Sequence, residues 1–359
     1  MPDIHDFLRY VVDQKGSDLH MRAGCPPSVR INGHLIKTGF PIADGTACQQ
    51  AALELMTDEQ LATLKKMGEV DFAFSEPGVG RFRVNVHRQR GSLGIAARFV
   101  LPGAPNFAEL GLPPAVEMLG NEHRGLLLVT GPTSSGKTTT TGAIVHHINA
   151  TRPCHILTIE DPIEILHKDI KADVTQREIG MDTTTFATGL RAAMRQDPDV
   201  IFVGEIRDLE TVRAAIQAAE TGHFVLATLH TTNVTETISR VIDFYPTHES
   251  KQIRVALAGS LVGIISQRLL PRIGGGRAAA IEVLVSNGRV RDLILDPDRT
   301  HMIHDLVSEG SFYGMQTFDQ ALLSLYRAGL VDLDDAKNAA TNPHDFGIML
   351  AQEGLITTG

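Results

Sequence analysis

The chain has 359 residues, 43% of them hydrophobic and 21% charged, with no tryptophan; that length and balance suit a soluble globular protein of two domains, each with its own core. Thirty-three Lys and Arg against 42 Asp and Glu leave a formal net charge of -9, which argues against clinging to DNA or anionic lipid through bulk charge. Cys25, Cys48 and Cys154 are too few for a four-cysteine zinc site; they are expected as reduced thiols filling small core positions. The N-terminal stretch "MPDIHDFLRY" is acidic and interrupted by charge, unlike a signal peptide, and no apolar run approaches the ~18 residues of a membrane span.

In chain order, Ile4, Phe7, Leu8, Val11 and Val12 form a helical stripe, with Asp3 as N-cap and Gly16 as stop. "SVRINGHLIK" follows, where Asn32-Gly33 between alternating residues signals a hairpin. "DFAFSEPGVGRFRVNVHRQRGSLGIAARFV" then alternates with period two through several strands. Phe82, Val84 and Val86 point one way and Arg81, Arg83 and His87 the other, with Arg98 on the last strand. One sheet face is therefore core and the other basic; a merely solvated face is the plain alternative. Residues 1–100 thus read as an α+β domain. The Pro- and Gly-rich residues 101–114 read as a linker, and 115–359 as a second domain.

In that second domain "RGLLLVTG", "CHILTIED", "DVIFVGEIRD" and "GHFVLATLHT" are short apolar runs without alternation, as in a parallel sheet buried on both faces. From about residue 233 the pattern looks mainly helical. "TFDQALLSLYRAGL" carries a capping box from Thr317 to Gln320, an apolar face of Phe318, Ala321, Leu322 and Leu325, and a stop at Gly329.

"GPTSSGKTTT" matches the phosphate-loop pattern between a strand and a helix, the context that separates a working loop from a chance match. The candidate nucleotide-binding set is Gly131, Pro132, Thr133, Ser134, Ser135, Gly136, Lys137, Thr138 and Thr139. The glycines let backbone N–H groups face phosphate, and the helix N-terminus favours the same anion. Lys137 would reach the β- and γ-phosphates and Thr138 would ligate Mg²⁺. Parallel sheets place ligands at the carboxyl ends of their strands. Those ends carry Glu160, Asp161 and Glu164, then Glu205, then His230, which together ring the position of a γ-phosphate. His230 as a neutral imidazole would bond that phosphate or a catalytic carboxylate; His223, at the other end of its strand, reads as structural.

"GPTSSGKTTT", "ILTIEDPIEILH", "QDPDVIFVGEIRDLET" and "AAETGHFVLATLHTT" resemble the Walker A, Asp, Walker B and His boxes of the type II/type IV secretion ATPase superfamily. "SDLHMRAGCPPSVRINGHL", "GVGRFRVNVHRQRG", "ISQRLLPRIGGGRAAAIEVL" and "GMQTFDQALLSLY" resemble its twitching-motility branch, the PilT/PilU retraction ATPases. The resemblance spans nearly the whole chain. It implies an α/β fold: a RecA-like P-loop ATPase domain, a smaller α+β, PAS-like N-terminal domain and a helical C-terminal region. It further implies a homohexameric ring, in the cytoplasm and peripheral at the inner membrane, that hydrolyses ATP with Mg²⁺. Such a ring would turn the inner-membrane platform protein of a type IV pilus, beside a paralogous retraction ATPase. In that family Glu205 and Glu160 would hold Mg²⁺ and orient water, both His-box histidines belong to a functional motif, and arginines matching Arg81, Arg83 and Arg98 assist hydrolysis. Where retraction ATPases carry "AIRNLIRE", this chain has "RVRDLILDPDRT", keeping Arg291, Leu293 and Ile294. Asp292 replaces Asn and Asp296-Pro297 breaks the helix early, which leans toward the accessory PilU type or an outlying PilT.

Three other readings stay open at this point. A pilus-extension or type II secretion ATPase usually has an extra N-terminal domain and a four-cysteine site. A nucleic-acid translocase would want a basic or aromatic track, so no nucleic-acid partner is expected. A regulatory subunit with a dead site would not need intact catalytic boxes.

Overall fold

Alternation in the N-terminal third becomes a sheet with one greasy face. The computed structural model describes residues 3–31 and 33–355. It divides into two units, one running to Pro102 and including Glu164–Leu166, the other comprising Gly103–Ile163 and the chain from His167 onward.

The first unit contains α1 (Ile4–Asp13), β1 (Asp18–Arg22), β2 (Ser28–Ile31), β3 (His34–Lys37), α2 (Gly45–Leu55), α3 (Asp58–Met67), β4 (Glu69–Glu76), β5 (Gly80–Gln89), β6 (Ser92–Phe99) and β7 (Leu101–Pro102). Asp3 caps α1 by accepting from the Asp6 N–H, as the stripe predicts. β2 and β3 pair antiparallel, with Ile31 opposite His34; Asn32 of the expected turn lies outside the described residues. The sheet runs β3-β2-β1-β6-β5-β4. Its inner face buries Leu19, Phe82, Val84, Val86 and Ile95 against Ile4, Phe7 and Leu8 of α1, so the other face is left to polar side chains.

The second unit contains α4 (Phe107–Leu110), α5 (Pro114–Gly120), β8 (Gly125–Thr130), α6 (Lys137–Thr151) and β9 (His155–Glu160). β10 (Ile165–Leu166), which belongs to the first unit, pairs there with β7. The second unit continues with β11 (Asp173–Glu178), α7 (Phe186–Ala193), β12 (Val200–Val203), α8 (Leu209–Glu220), β13 (Phe224–Leu229), α9 (Val234–Asp243), α10 (Ser250–Ser260), β14 (Leu261–Pro271) and β15 (Arg277–Val285). It closes with α11 (Gly288–Leu295), α12 (Ile303–Glu309), α13 (Phe318–Arg327), α14 (Leu333–Ala339) and α15 (Pro343–Gln352). The stretch 101–114 is not all connecting chain, since it holds β7 and the one-turn helix α4, which Asn106 and Glu109 close with a capping box.

The four apolar runs become β8, β9, β12 and β13, in a seven-stranded sheet ordered β11-β9-β12-β13-β8-β14-β15. All neighbours are parallel except β14 and β15. Leu126 and Leu128 of β8 bury into one core and Leu127 and Val129 into the other. Burial on both faces is why these strands carry no alternation.

The region after 233 is not uniformly helical, contrary to the sequence pattern. β14 and β15 form a hairpin across Gly274, Gly275 and Gly276, all with positive φ. Ser266, Gln267 and Arg268 interrupt the apolar run of β14 and disguise it; besides β15, the strand pairs with β8, far away in sequence. The Thr317–Gln320 capping box is present at α13. α11 ends at Leu295 with Asp296 as its C-cap, ahead of Pro297, since the residue before proline disfavours helix.

Candidate nucleotide site

The end of β8 turns sharply into α6. Gly131 and Gly136 have φ of 146° and 93°. A Cβ at Gly131 would come within 2.5 Å of the Gln267 carbonyl oxygen and the Ser135 Oγ, and one at Gly136 within 2.6 Å of the Gln267 Nε2. Only glycine fits this cradle, and Gln267 of β14 is its second wall; Gln267 also accepts from Thr140 Oγ1 at 2.8 Å. α6 begins at Lys137, so its first-turn N–H groups have no acceptor within the helix and face the loop. Pro132, Thr133, Ser134 and Thr138 are exposed, Ser135 is buried, and Thr139 is half-buried.

Lys137 Nζ donates to the carbonyls of Gly131 at 2.6 Å and Pro132 at 3.0 Å, and lies 3.3 Å from His230 Nδ1. An ammonium can only donate, so Nδ1 accepts and the imidazole proton is assigned to Nε2. That Nε2 lies 2.8 Å from Glu205 Oε1, while the other Glu205 oxygen accepts from Arg207 at 2.6 Å. Arg207 in turn reaches Asp161 at 4.0 Å. Burial by itself would raise the Glu205 carboxyl, but the Arg207 hydrogen bond, His230 and Lys137 outweigh it and hold the group below the usual carboxylate range.

Strand order explains this line of contacts. β13 lies between β12 and β8, so a residue leaving β13 falls between one leaving β12 and the phosphate loop leaving β8. Thr228 Oγ1 donates to the Gly204 carbonyl at 2.5 Å and the Ile206 N–H to the Thr228 carbonyl at 2.9 Å, which fixes the turn carrying Glu205. Glu160 ends β9, with two strands between it and β8. It is buried and accepts from Thr158 Oγ1 at 2.7 Å and Gln176 Nε2 at 3.0 Å. His223 precedes β13 and its ring Nδ1 lies 2.9 Å from the Ala218 carbonyl at the end of α8, an anchoring contact.

Arg207 and Gln267 are the site residues that sequence reasoning missed. Arg207 stands inside the quoted "GEIRD", two residues beyond Glu205 in the turn after β12, and an opposite charge that near in sequence was the available signal. Gln267 had none, because its strand read as helix. A cavity of about 380 Å³ opens beside the loop, lined by Gly136, Thr139, Thr140, Leu269, Arg272 and Arg277 among others.

Arg81, Arg83 and Arg98 belong to the first unit, on the polar face of its sheet. Arg83 and Arg98 stand directly opposite each other on β5 and β6. Arg98 Nε donates to Asp18 at 2.8 Å, and Arg81 donates to Ser75 Oγ at 3.4 Å. Burial would raise the Asp18 carboxyl, but Ser17 and Arg98 draw it below its ordinary value.

The profile of the type II/IV secretion system protein family matches residues 105–304. The type IV pilus retraction ATPase PilT of Pseudomonas aeruginosa is 42% identical, over 96% of this chain and 100% of that protein. The type IV pilus ATPase PilU of the same organism is 37% identical over 97% and 91%. A crystal structure described as the pilus retraction motor PilT with bound ADP superposes with a TM-score of 0.89 at 45% identity, over 96% of this chain and 99% of that one. The chain therefore belongs to the type II/IV secretion ATPase family and, within it, to the PilT/PilU group of twitching-motility ATPases.

Proposed function

We propose that this protein is a motor that couples ATP hydrolysis to retraction of a type IV pilus. It works as a homohexamer on the inner-membrane platform protein, on the cytoplasmic side, and a PilU-like paralogue is its natural companion. Among the described residues no helix is long and apolar enough to cross a membrane, so membrane attachment would come through that platform. The observation that carries the reading is end-to-end likeness to PilT, together with the Lys137–His230–Glu205 line at the mouth of the phosphate loop.

The chemistry follows from those contacts. The Gly131–Thr139 loop cradles the phosphates and Lys137 binds the β/γ pair. The nucleoside half fits the cavity between Thr139 and Arg277. Thr138, Glu205 and Glu160 would hold Mg²⁺, which when bound would neutralise phosphate charge. Among the described residues no three His, Cys, Asp or Glu side chains converge on a metal position, in keeping with an ion that takes much of its coordination from phosphate and water. Glu205, held ionised by Arg207 and His230, orients the attacking water and accepts its proton. A γ-phosphate competes with His230 for Lys137, so His230 changes partners as the phosphate arrives and leaves, and that exchange links chemistry to movement.

Arg81, Arg83 and Arg98 supply positive charge to the transferring phosphoryl within the ring. Arg83 and Arg98 share one face of that sheet, and Asp18 already pairs with Arg98 there, so the turnover of the arginine variants, not the pairing, separates this role from a solvated face. Deleting the gene tests the whole reading. A retraction motor leaves cells with as many pili as before, or more, and without twitching; bald cells after a complemented deletion would show an extension motor instead.

A further inference from the structure

We infer that Glu282 is a positioning residue for hydrolysis: its buried carboxylate anchors the first turn of α9 and thereby holds His230 between Lys137 and Glu205. The inference rests on the proposed role of His230.

Glu282 lies on β15 and is 2% exposed. Its Oε2 accepts from the Val234 N–H at 2.9 Å. Val234 opens α9, so its N–H has no acceptor within the helix, and a carboxylate at that end is favoured by the helix dipole. Only residues 230–233 separate the end of β13 from this anchor. The anchor stands in the same row as the residue that precedes the phosphate loop. Thr130, Ser266 and Glu282 occupy one row across β8, β14 and β15, and Thr130 is the residue before Gly131. Thr130 and Ser266 hydroxyls are 2.8 Å apart; Thr237 of α9 donates to the Asn233 carbonyl at 2.7 Å, and its oxygen lies 2.7 Å from that of Thr231 and 3.5 Å from that of Thr130. A buried polar row thus joins the start of the phosphate loop to the connection that carries His230.

Apolar side chains would pack this row with less desolvation, so a carboxylate here calls for a function. Burial pushes Glu282 up to about 7, against the Val234 N–H and Arg268 of β14, which pull it down, and with Asp319 of α13 adding to the rise. The anchor therefore changes charge near neutral pH, which gives the inference a readout that simple packing lacks.

The test uses the full chain and measures ATP turnover and binding of a fluorescent ADP for Glu282→Ala, Glu282→Gln and His230→Ala. Glu282→Ala should lower kcat by about tenfold or more with ADP affinity within about twofold of wild type. Glu282→Gln keeps an acceptor for Val234, so it should recover kcat to within about threefold while losing the inflexion near neutral pH in the kcat profile. Wild-type kcat in Glu282→Ala overturns the inference. So does a parallel loss of kcat and ADP affinity that glutamine does not restore. If the alanine variant does not fold, the glutamine profile decides, and a profile identical to wild type counts against the inference. If His230→Ala itself turns over normally, the reading of His230 falls. If His230→Ala is slow and Glu282→Ala is not, only the present inference falls.

Discussion

His230 and Glu205 meet at 2.8 Å, Nε2 to Oε1, although 24 positions and a whole helix separate them in the chain. The same imidazole faces Lys137 with its other nitrogen. One ring therefore touches the cation that would read the γ-phosphate and the carboxylate that would prepare the water. Its neutral tautomer is set by its neighbours, since one can only donate and the other, ionised, can only accept.

Lys137→Ala should weaken nucleotide binding by about a hundredfold or more, because the loop loses the cation that pairs with the β- and γ-phosphates. Titration with a fluorescent ATP analogue reads this directly. Wild-type affinity would remove the phosphate-loop assignment.

Glu205→Gln and His230→Ala should bind ATP normally and hydrolyse it about 10²-fold to 10⁴-fold more slowly, the range for a lost general base. The two defects should not multiply in the double variant if the pair acts as a unit. Normal turnover in either single variant counts against the pair.

Arg207→Ala should move the acid limb of the turnover profile toward higher pH. Arg207 is the foremost of the groups that hold the Glu205 carboxyl low against burial, and a carboxylate with a lowered native value stays ionised until the pH falls through that value. The linked stability has the same sign: present above the unfolded carboxylate range, lost as pH falls through the native value. A limb that stays in place would show that Arg207 does not set it.

Arg83→Ala and Arg98→Ala should leave folding and nucleotide binding intact while slowing turnover, by as much as about 10³-fold for an arginine that neutralises the transferring phosphoryl. Arg98→Ala also frees Asp18 of its 2.8 Å partner, so Arg83→Ala is the cleaner probe. Unchanged turnover in the variants of Arg81, Arg83 and Arg98 alike would support the solvated-face alternative.

Glu282 makes a separate prediction about stability. Its native value is raised from 4.5 to about 7, so the folded state holds the proton longer than the unfolded one and stability falls as pH rises through that window. Relative to wild type, Glu282→Gln should gain stability from pH 4.5 upward, levelling above 7, by on the order of 3 kcal/mol. Thermal unfolding of both proteins across that range checks the sign, and a flat difference would show that Glu282 ionises normally.

Local chemistry by itself determined much of this protein. The cap at Asp3, the box at Thr317–Gln320, the alternation around Phe82 and the apolar runs of β8, β9, β12 and β13 each depend on neighbours a few residues away. So does the Gly131–Thr139 loop, whose conformation its own glycines allow. What only the tertiary structure decided is who stands beside whom. The order β12-β13-β8 makes His230 the bridge between Glu205 and Lys137, and no spacing in the chain encodes that order. Arg207 became part of the site because the turn after β12 folds it back onto Glu205. β14 and β15 went unread because their polar residues, Ser266, Gln267 and Glu282, are explained by partners on β8, α6 and α9 rather than by any local period. A strand takes its residue types from the neighbours it packs against, and where those are far away in sequence they are settled only when the chain has closed around them.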